Sequence, residues 1–381
     1  MENFVWDIPT KMFFGKNVYK KISKVLPTFG KKVFLIRGGS SLEKNGVLVK
    51  IIEEIKLSGM EWVEFSGIKS NPEIEEAREA VKIGVDFCPD VILALGGGSV
   101  IDTAKAVAAS IPTKSDPWDL YTGKLRPSKA VPIVAVLTLA ATGTEMNPFS
   151  VMQNKAEGIK TSFTSREVTP KYSFLEPAFT VSVPRDYTAY GLSDIVAHCM
   201  EAWFGEGDAS LSDKFTISII KEVIEYGPML LREVDNVDLR AKIMYAATCA
   251  LNEMTMFGRK SGDWGVHSLG HVFSLLYGIP HGATLSAVYP AWLKLISQRD
   301  NSRVLSFGKA TFGVDSVEKT IDETIKMYRS FLSPTSLSEL KISNFDKDKT
   351  IESMIKSDAT GYHYELEEQD YISILNFMSE F

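Results

Sequence analysis

The sequence predicts a two-domain α/β protein, in which a domain built on a parallel sheet precedes an all-helical domain. Strand and helix patterns alternate through the first half of the chain, and helical periodicity replaces them after about residue 184. The length of 381 residues also exceeds what one ordinary hydrophobic core supports. We therefore expect a nucleotide-binding α/β domain at 1–184 and a helical metal-binding domain at 185–381.

The predicted strands of the first domain are apolar or alternating runs that end in glycine, proline or polar residues. They are "KKVFLIRG" (31–38), "EWVEFSG" (61–67), "VILAL" (91–95) and "VPIVAVLT" (131–138). Helical patterns fill the intervals, with Gly59 at one helix end and Pro72 near the next helix start. Strands and helices that alternate at this spacing form βαβ units with a parallel sheet. We expect a hairpin over about 149–183, with "TSFTS" and "KYSFLEP" as its strands.

Composition excludes several classes of protein. The chain is 45% hydrophobic and 24% charged, as soluble globular proteins are. A net charge of -6 with dispersed acids argues against a nucleic-acid partner. Three widely spaced cysteines make no disulfide framework, which favours the cytoplasm. The N-terminal stretch shows no basic start before a long apolar run, so we expect no signal peptide and no membrane association.

A glycine-rich stretch, "VILALGGGSVIDTAK", joins a predicted strand to a predicted helix. Gly96, Gly97 and Gly98 allow close approach of a ligand, and the helix that begins near Ser99 offers free N–H groups to a phosphate. The alternative is a tight turn without a ligand. The stretch is neither a phosphate loop with Gly-Lys-Ser/Thr nor the six-residue dinucleotide fingerprint, because Ile101 replaces the third glycine.

A second loop, "LTLAATGTE" (137–145), follows the next strand and ends at the same sheet edge, where open α/β folds bind ligands. Its hydroxyls at Thr138, Thr142 and Thr144 could donate to phosphate or ribose. Alternatively they only form the turn.

Three of the five histidines lie in "DWGVHSLGHVFSLLYGIPHG". His267 and His271 share a helix face because they are four residues apart, and His281 follows a helix end. Asp194 and His198 have the same four-residue spacing on another predicted helix. Facing helices would then offer a carboxylate and two or three imidazoles, which suit Zn²⁺ or Fe²⁺. The alternative for each histidine is a hydrogen-bonded core residue.

A phosphate site in one domain and a metal site in the other would place a nucleotide and a Lewis acid across one cleft. This combination indicates hydride transfer to a polarised carbonyl.

These motifs resemble those of the iron-containing, or group III, alcohol dehydrogenases, and within them the butanol dehydrogenase-like, NADPH-dependent aldehyde reductases. The resemblance covers nearly the whole chain and depends on "GGGSVIDTAK", "ATGTE", "DIVAHCMEAW" and "HSLGHVFSLLYGIPHG". It implies a dehydroquinate synthase-like fold and interconversion of short-chain aldehydes and primary alcohols with NADP(H). It also implies Fe²⁺ or Zn²⁺ as the metal and a homodimer.

The resemblance also assigns residues. It implies metal ligation by Asp194, His198, His267 and His281, and it places His271 beside the nicotinamide and substrate as a catalytic residue. The implied cofactor contacts are Gly38, Gly39, Ser40, Asn71, Gly97, Gly98, Ser99, Asp102, Thr138, Thr142, Asn147 and Lys160.

The first βα turn, "LIRGGSSLEKNGV", predicts a preference for NADP(H). NAD-preferring dehydrogenases usually place an acid here to accept from the ribose 2′-OH, and the resemblance aligns that position with Gly39. Gly39 leaves room for a 2′-phosphate, and Arg37 and Lys44 are near in sequence. The alternative is an ordinary glycine turn with NAD still bound.

Two other functions fit parts of the pattern. A lyase like dehydroquinate synthase would share the fold, the nucleotide and the metal, but it would need a basic cluster for its phosphorylated substrate. A non-catalytic NADP(H)-sensing module would bind the nucleotide and turn over no aldehyde.

Overall fold

The computed structural model describes residues 1–381, and its first half is organised around a six-stranded sheet. The strand order is β1-β8-β5-β4-β2-β3, and every neighbouring pair is parallel. Strands β6 and β7 form a separate antiparallel pair. The strands are β1 Lys11–Phe14, β2 Lys32–Gly38, β3 Glu61–Ile68, β4 Val91–Gly96, β5 Ile133–Leu137, β6 Phe149–Asn154, β7 Ile159–Thr164 and β8 Tyr172–Leu175.

Helices cover the sheet and make up most of the second half. None of them is long and apolar enough to cross a membrane. The α-helices are α1 Ile22–Val25, α2 Ser41–Lys44, α3 Val47–Ser58, α4 Ile74–Phe87, α5 Gly98–Ser110, α6 Trp118–Tyr121, α7 Arg185–Trp203, α8 Ser210–Arg232, α9 Val237–Ala250, α10 Gly265–Tyr277, α11 His281–Ile296, α12 Asn301–Phe312, α13 Val317–Ser330, α14 Lys347–Lys356 and α15 Glu368–Glu380.

Alternation along the central strands creates two cores, one on each face of the sheet. Phe34 and Ile36 of β2 pack into one cluster, while Val33 and Leu35 pack into the other. All six residues of β4 are buried, as expected of a central parallel strand. A third and larger core lies among α7–α15.

The predicted order of strands and helices in the first half is observed, with two differences. "TSFTS" belongs to the hairpin through β7, but its partner there is β6, which was not predicted as a strand. "KYSFLEP" instead contains β8, which joins the main sheet between β1 and β5. The first strand, β1, was not predicted, because four residues are too few to show a period. The division at 184 remains a prediction, and α7 begins directly after it at Arg185.

Candidate metal and dinucleotide site

A cleft of about 430 Å³ lies at the carboxyl edge of the sheet. Segments that follow β2, β3, β4 and β5 line one side of it, where parallel α/β folds bind ligands. The other side is formed by α7, which contributes Asp194, and by the turn into α11, which contributes His281. The glycine turn and part of the histidine stretch therefore line the same cleft.

The glycine turn has the features of a phosphate cradle. Helix α5 begins at Gly98, and Gly97 precedes it without a side-chain cap, so the first amides of the helix remain available. A Cβ atom on Gly98 would lie 2.7 Å from the Thr142 side chain, which packs the two loops closely together. Any larger residue at position 98 would separate the glycine turn from the second loop. The free amides at the start of α5 suit a pyrophosphate group.

Most of the residues predicted to contact the cofactor line this cleft, and they come from four separate segments of the chain. Ser40 does not line it; the next residue, Ser41, does. The helical turn at 41–44 directs residue 41 towards the cleft and leaves Ser40 exposed at the helix start. The predicted contacts that line the cleft are Gly38, Gly39, Asn71, Gly97, Gly98, Ser99, Thr138 and Thr142.

Asp102 and Asn147 are buried beneath the loops and do not line the cleft. Both surround Lys105, whose ammonium donates to the Asn147 carbonyl at 2.9 Å and to the Thr144 hydroxyl at 2.6 Å. Asp102 accepts from the Thr144 hydroxyl at 2.5 Å. These residues therefore fix the shape of the second loop. Residue type alone does not show whether a polar residue supports a loop in this way or contacts a cofactor.

Lys160 is buried on β7, and its ammonium donates to the Asn71 side-chain carbonyl at 2.9 Å. Burial lowers its pKa to about 8, although Asp194 and Asp102 oppose the shift. Asn71 itself has a left-handed backbone, with φ 58°. Lys160 thus holds Asn71 at the rim of the cleft.

Three imidazoles converge on one carboxylate oxygen. Asp194 Oδ1 lies 3.6 Å from His198 Nε2, 3.7 Å from His267 Nε2 and 3.9 Å from His281 Nε2. These separations exceed hydrogen-bond length. Four ligand atoms about 2.1 Å from one tetrahedral ion would lie about 3.4 Å apart. The geometry therefore fits a shared metal ion better than a hydrogen-bonded cluster.

Unpaired polar atoms support this fit. Asp194 Oδ1 and His267 Nε2 are buried and have no hydrogen-bond partner. Buried polar atoms are rarely left unpaired in folded proteins, because the desolvation cost is not recovered. The donor atoms of Asp194, His267 and His281 all lie within 4.8 Å of one another. His198 stands outside this group, although its Nε2 atom lies 3.6 Å from Asp194 Oδ1. One carboxylate with two imidazoles, or three when His198 joins them, suits Zn²⁺ or Fe²⁺.

Backbone geometry positions the histidines. Trp264 precedes α10 with a left-handed backbone, φ 68°, and its N–H donates to Glu201 Oε2 at 2.6 Å. Helix α10 ends at Gly278, which also has a left-handed backbone. Pro280 then leads into α11, so His281 is the first residue of a new helix, and its Nε2 atom lies 3.9 Å from Asp194 on α7.

The charges of the cluster are unequal. Burial would raise the pKa of Asp194, but His198 and its neighbouring imidazoles hold that pKa well below its usual range. Burial lowers the pKa of His198 to about 4 and lowers that of His281 well below its usual range. Burial would also lower the pKa of His267, but its contacts with Asp194 and Glu201 raise that pKa to about 9. His198 and His281 are therefore neutral and Asp194 is ionised, as metal ligation requires, whereas a metal ion at His267 Nε2 would displace a proton.

Glu201 is a part of the site to which sequence reasoning gave no role. It is buried on α7, three residues after His198 and seven after Asp194, so all three side chains share one helix face. Its Oε1 atom lies 2.8 Å from His267 Nδ1 and also accepts the His267 backbone N–H at 3.0 Å. The i, i+4, i+7 spacing of Asp194, His198 and Glu201 was a signal that could have identified it.

His271 is half-buried one turn beyond His267 on α10, and its ring centroid lies 5.1 Å from that of His281. Burial lowers its pKa well below the usual range, and the nearby Lys160 charge adds to the shift. It therefore borders the metal cluster as a neutral imidazole.

Comparison with known proteins agrees with this architecture. Residues 9–177 match the family model for iron-containing alcohol dehydrogenase. Residues 188–376 match the model for the C-terminal part of the Fe-containing alcohol dehydrogenase family. The chain belongs to the iron-containing alcohol dehydrogenase family. The resemblance inferred from the motifs and the predicted fold class are both confirmed.

Individual relatives are similar over most of their length. The probable NADH-dependent butanol dehydrogenase 1 of Bacillus subtilis is 34% identical, covering 98% of this chain and 99% of that protein. The NADPH-dependent aldehyde reductase YqhD of Escherichia coli is 36% identical, covering 89% of each. The crystal structure of NADH-dependent butanol dehydrogenase A from Thermotoga maritima has a TM-score of 0.95 at 34% identity, covering 100% of this chain and 99% of that one.

Proposed function

We propose that this protein is a metal-dependent alcohol dehydrogenase and aldehyde reductase that interconverts short-chain aldehydes and primary alcohols with NADP(H). The observation that carries the proposal is that the glycine turn and the Asp194–His281 pair line one cleft. The similarity to butanol dehydrogenases and an aldehyde reductase supports the same reaction class.

Within this proposal, one set of residues binds the dinucleotide and another set binds the metal ion. The amides at the start of α5 would orient the pyrophosphate, with Thr138 and Thr142 beside it. Asp194, His198, His267 and His281 would hold Fe²⁺ or Zn²⁺.

A bound divalent cation would polarise the substrate carbonyl, and NADP(H) would supply or accept the hydride. His271 borders the cluster as a neutral imidazole, so it can pass a proton from water to the product oxygen.

The two alternatives make different demands. A lyase that binds a phosphorylated, carboxylated substrate needs several cations, but Lys69 is the one lysine among the lining residues and no arginine joins it. A nucleotide-sensing module would bind NADP(H) without turnover.

The decisive experiment is an aldehyde panel with NADPH and NADH, using protein stripped of metal and then reloaded with Fe²⁺ or Zn²⁺. We expect reduction of short-chain aldehydes by the reloaded protein and almost none by the stripped protein. Nucleotide binding without turnover of any aldehyde would favour the sensing module.

We also propose a cytoplasmic homodimer. The three cysteines are free, which suits a reducing compartment. Strand β1 lies at one end of the sheet, and Phe4, Val5 and Trp6, which precede it in the chain, are exposed. Sedimentation velocity should give about twice the mass of one chain, and a monomer at micromolar concentration would contradict the dimer.

A further inference from the structure

Lys69 is the one lysine or arginine among the residues that line the cleft. It follows directly after β3, and the β2–β3 register pairs Ile68 with Gly38. Gly39 and Lys69 are the next residues along the two chains, and both line the cleft. Its side chain is 63% exposed, so the ammonium can move towards a ligand in the cleft.

Lys69 lies at the end of the cleft away from the metal cluster. The sheet order places β5, β4, β2 and β3 side by side, at about 4.8 Å per step. Helix α7, which carries Asp194, packs at the β5 side, because Gly191 approaches the Ala140 carbonyl there. If the reactive ring of a dinucleotide meets the metal, its adenosine end lies beside Gly39 and Lys69.

The two cations suggested by the sequence are not available to this end of the cleft. Arg37 is buried, and its guanidinium contacts Glu64 at 2.7 Å and Glu43 at 3.0 Å. Both carboxylates neutralise it and fix its orientation. Lys44 is exposed on α2 and does not line the cleft.

The partners of Lys69 hold it loosely. Its ammonium lies 3.6 Å from Glu73 and 3.6 Å from Glu76, beyond hydrogen-bond length. Glu73 already accepts from Lys155 at 2.5 Å. Two cations and two carboxylates thus leave the group neutral, and a phosphate dianion would compete effectively for Lys69.

We propose that Lys69 binds the 2′-phosphate of the adenosine ribose and thereby sets the preference for NADP(H) over NAD(H). This inference rests on the proposed function, because it requires a dinucleotide in the cleft. Gly39 provides the space, since a Cβ atom there would meet nothing within 4 Å.

Direct binding of two nucleotide fragments to the metal-free protein separates this step from catalysis. The fragment 2′,5′-ADP carries the 2′-phosphate, and 5′-AMP lacks it. We expect Lys69→Gln to raise the Kd for 2′,5′-ADP by about 10-fold and to leave the Kd for 5′-AMP within about two-fold. Calorimetric titration measures both, and Lys44→Gln is the matched control that should change neither.

Two further variants sharpen the test. Lys69→Arg keeps the cation and should retain most of the affinity for 2′,5′-ADP. Glu76→Gln removes one competing charge but can still accept the Lys69 backbone N–H, which Glu76 accepts at 3.4 Å. We expect Glu76→Gln to tighten 2′,5′-ADP by about two-fold.

The outcomes distinguish this inference from the proposed function. An unchanged ratio of the two Kd values in Lys69→Gln, or a wild type that binds both fragments equally, would overturn the role of Lys69. Wild-type aldehyde reduction would then still support the dehydrogenase assignment. Conversely, a Lys69-dependent preference for 2′,5′-ADP without any aldehyde turnover would support the Lys69 site and count against the reductase.

Discussion

Glu201 on α7 binds His267 on α10 twice, through the ring Nδ1 atom at 2.8 Å and through the backbone N–H at 3.0 Å. The second carboxylate oxygen accepts the Trp264 N–H. The contact with Nδ1 leaves His267 Nε2 directed at Asp194 and free to ligate a metal. One buried carboxylate therefore fixes both the start of α10 and the orientation of a candidate ligand.

The first prediction follows from this contact. Glu201→Gln keeps the size of the side chain but removes its charge, so it should weaken metal affinity by roughly 10- to 100-fold while the fold persists. Competition with a chelator, followed by elemental analysis, measures the affinity. Glu206→Gln is the control, because the Glu206 carboxylate contacts only the exposed Lys260 side chain among the charged groups. Equal metal affinity in all three proteins would remove Glu201 from the site.

The metal assignment predicts different losses along the histidine stretch. His267→Ala and His281→Ala should lose bound metal and nearly all reductase activity. His271→Ala should keep the metal but slow turnover or alter its pH dependence, because its imidazole lies beside the His281 ring and is not one of the donors that converge with Asp194. Measuring metal content and kinetics for each variant tests whether His267 and His281 bind the metal while His271 does not. Full metal and full activity in His281→Ala would be incompatible with it.

Substitution of Gly39 by aspartate should shift the coenzyme preference from NADPH towards NADH. Gly39→Asp has room for its side chain, so the fold should be unaffected, but its charge would repel a 2′-phosphate. We expect a cost of about 2–4 kcal/mol, or roughly 30- to 1,000-fold in the NADPH/NADH ratio of kcat/KM. Gly39→Ala, which adds no charge, should leave the ratio nearly unchanged. A wild type that already prefers NADH would contradict this prediction.

Lys105 should be essential for stability. Its ammonium is fully buried and lies within hydrogen-bond distance of four oxygens of the second loop and its flank, including the Phe149 carbonyl at 2.6 Å. Lys105→Met leaves these acceptors unpaired and should cost about 3 kcal/mol of unfolding free energy. The exposed Lys82→Met should cost less than about 0.5 kcal/mol. Urea denaturation measures both, and equal losses would contradict the role of Lys105.

Asp263 should make stability depend on pH. Its buried carboxyl accepts N–H groups from Gly265, His363 and Tyr364, yet burial and the nearby Glu201 charge raise its pKa to about 7. The unfolded pKa is about 3.9. Between about pH 4 and about pH 7 the folded state therefore binds the extra proton, and the free energy of unfolding falls as the pH rises through this window.

The test compares metal-free wild type with Asp263→Asn by urea denaturation at several pH values. The stability of wild type relative to the variant should be constant below about pH 4 and should decline towards about pH 7. A difference that does not change with pH would show that Asp263 keeps its ordinary pKa.

The sequence by itself determined the fold class, the glycine turn and the candidate metal ligands. The first two features are local, because alternating strands and helices and three consecutive glycines can be recognised from spacing. Spacing also marked the histidine stretch, but only the family resemblance indicated which of its histidines would ligate a metal. The same local signals could not assign Asp102 and Asn147, since a polar residue near a loop can face a ligand or support the loop from below.

Only the tertiary structure decided how the charges are paired. Arg37 forms ion pairs with Glu43 and Glu64, and Lys105 is buried beneath the second loop. Lys69 instead lines the cleft, as Gly39 does. The physical reason is that the function of a charged side chain depends on its burial and on partners that are distant in sequence. Strand order and helix packing bring those partners together, and no spacing along the chain encodes their distances.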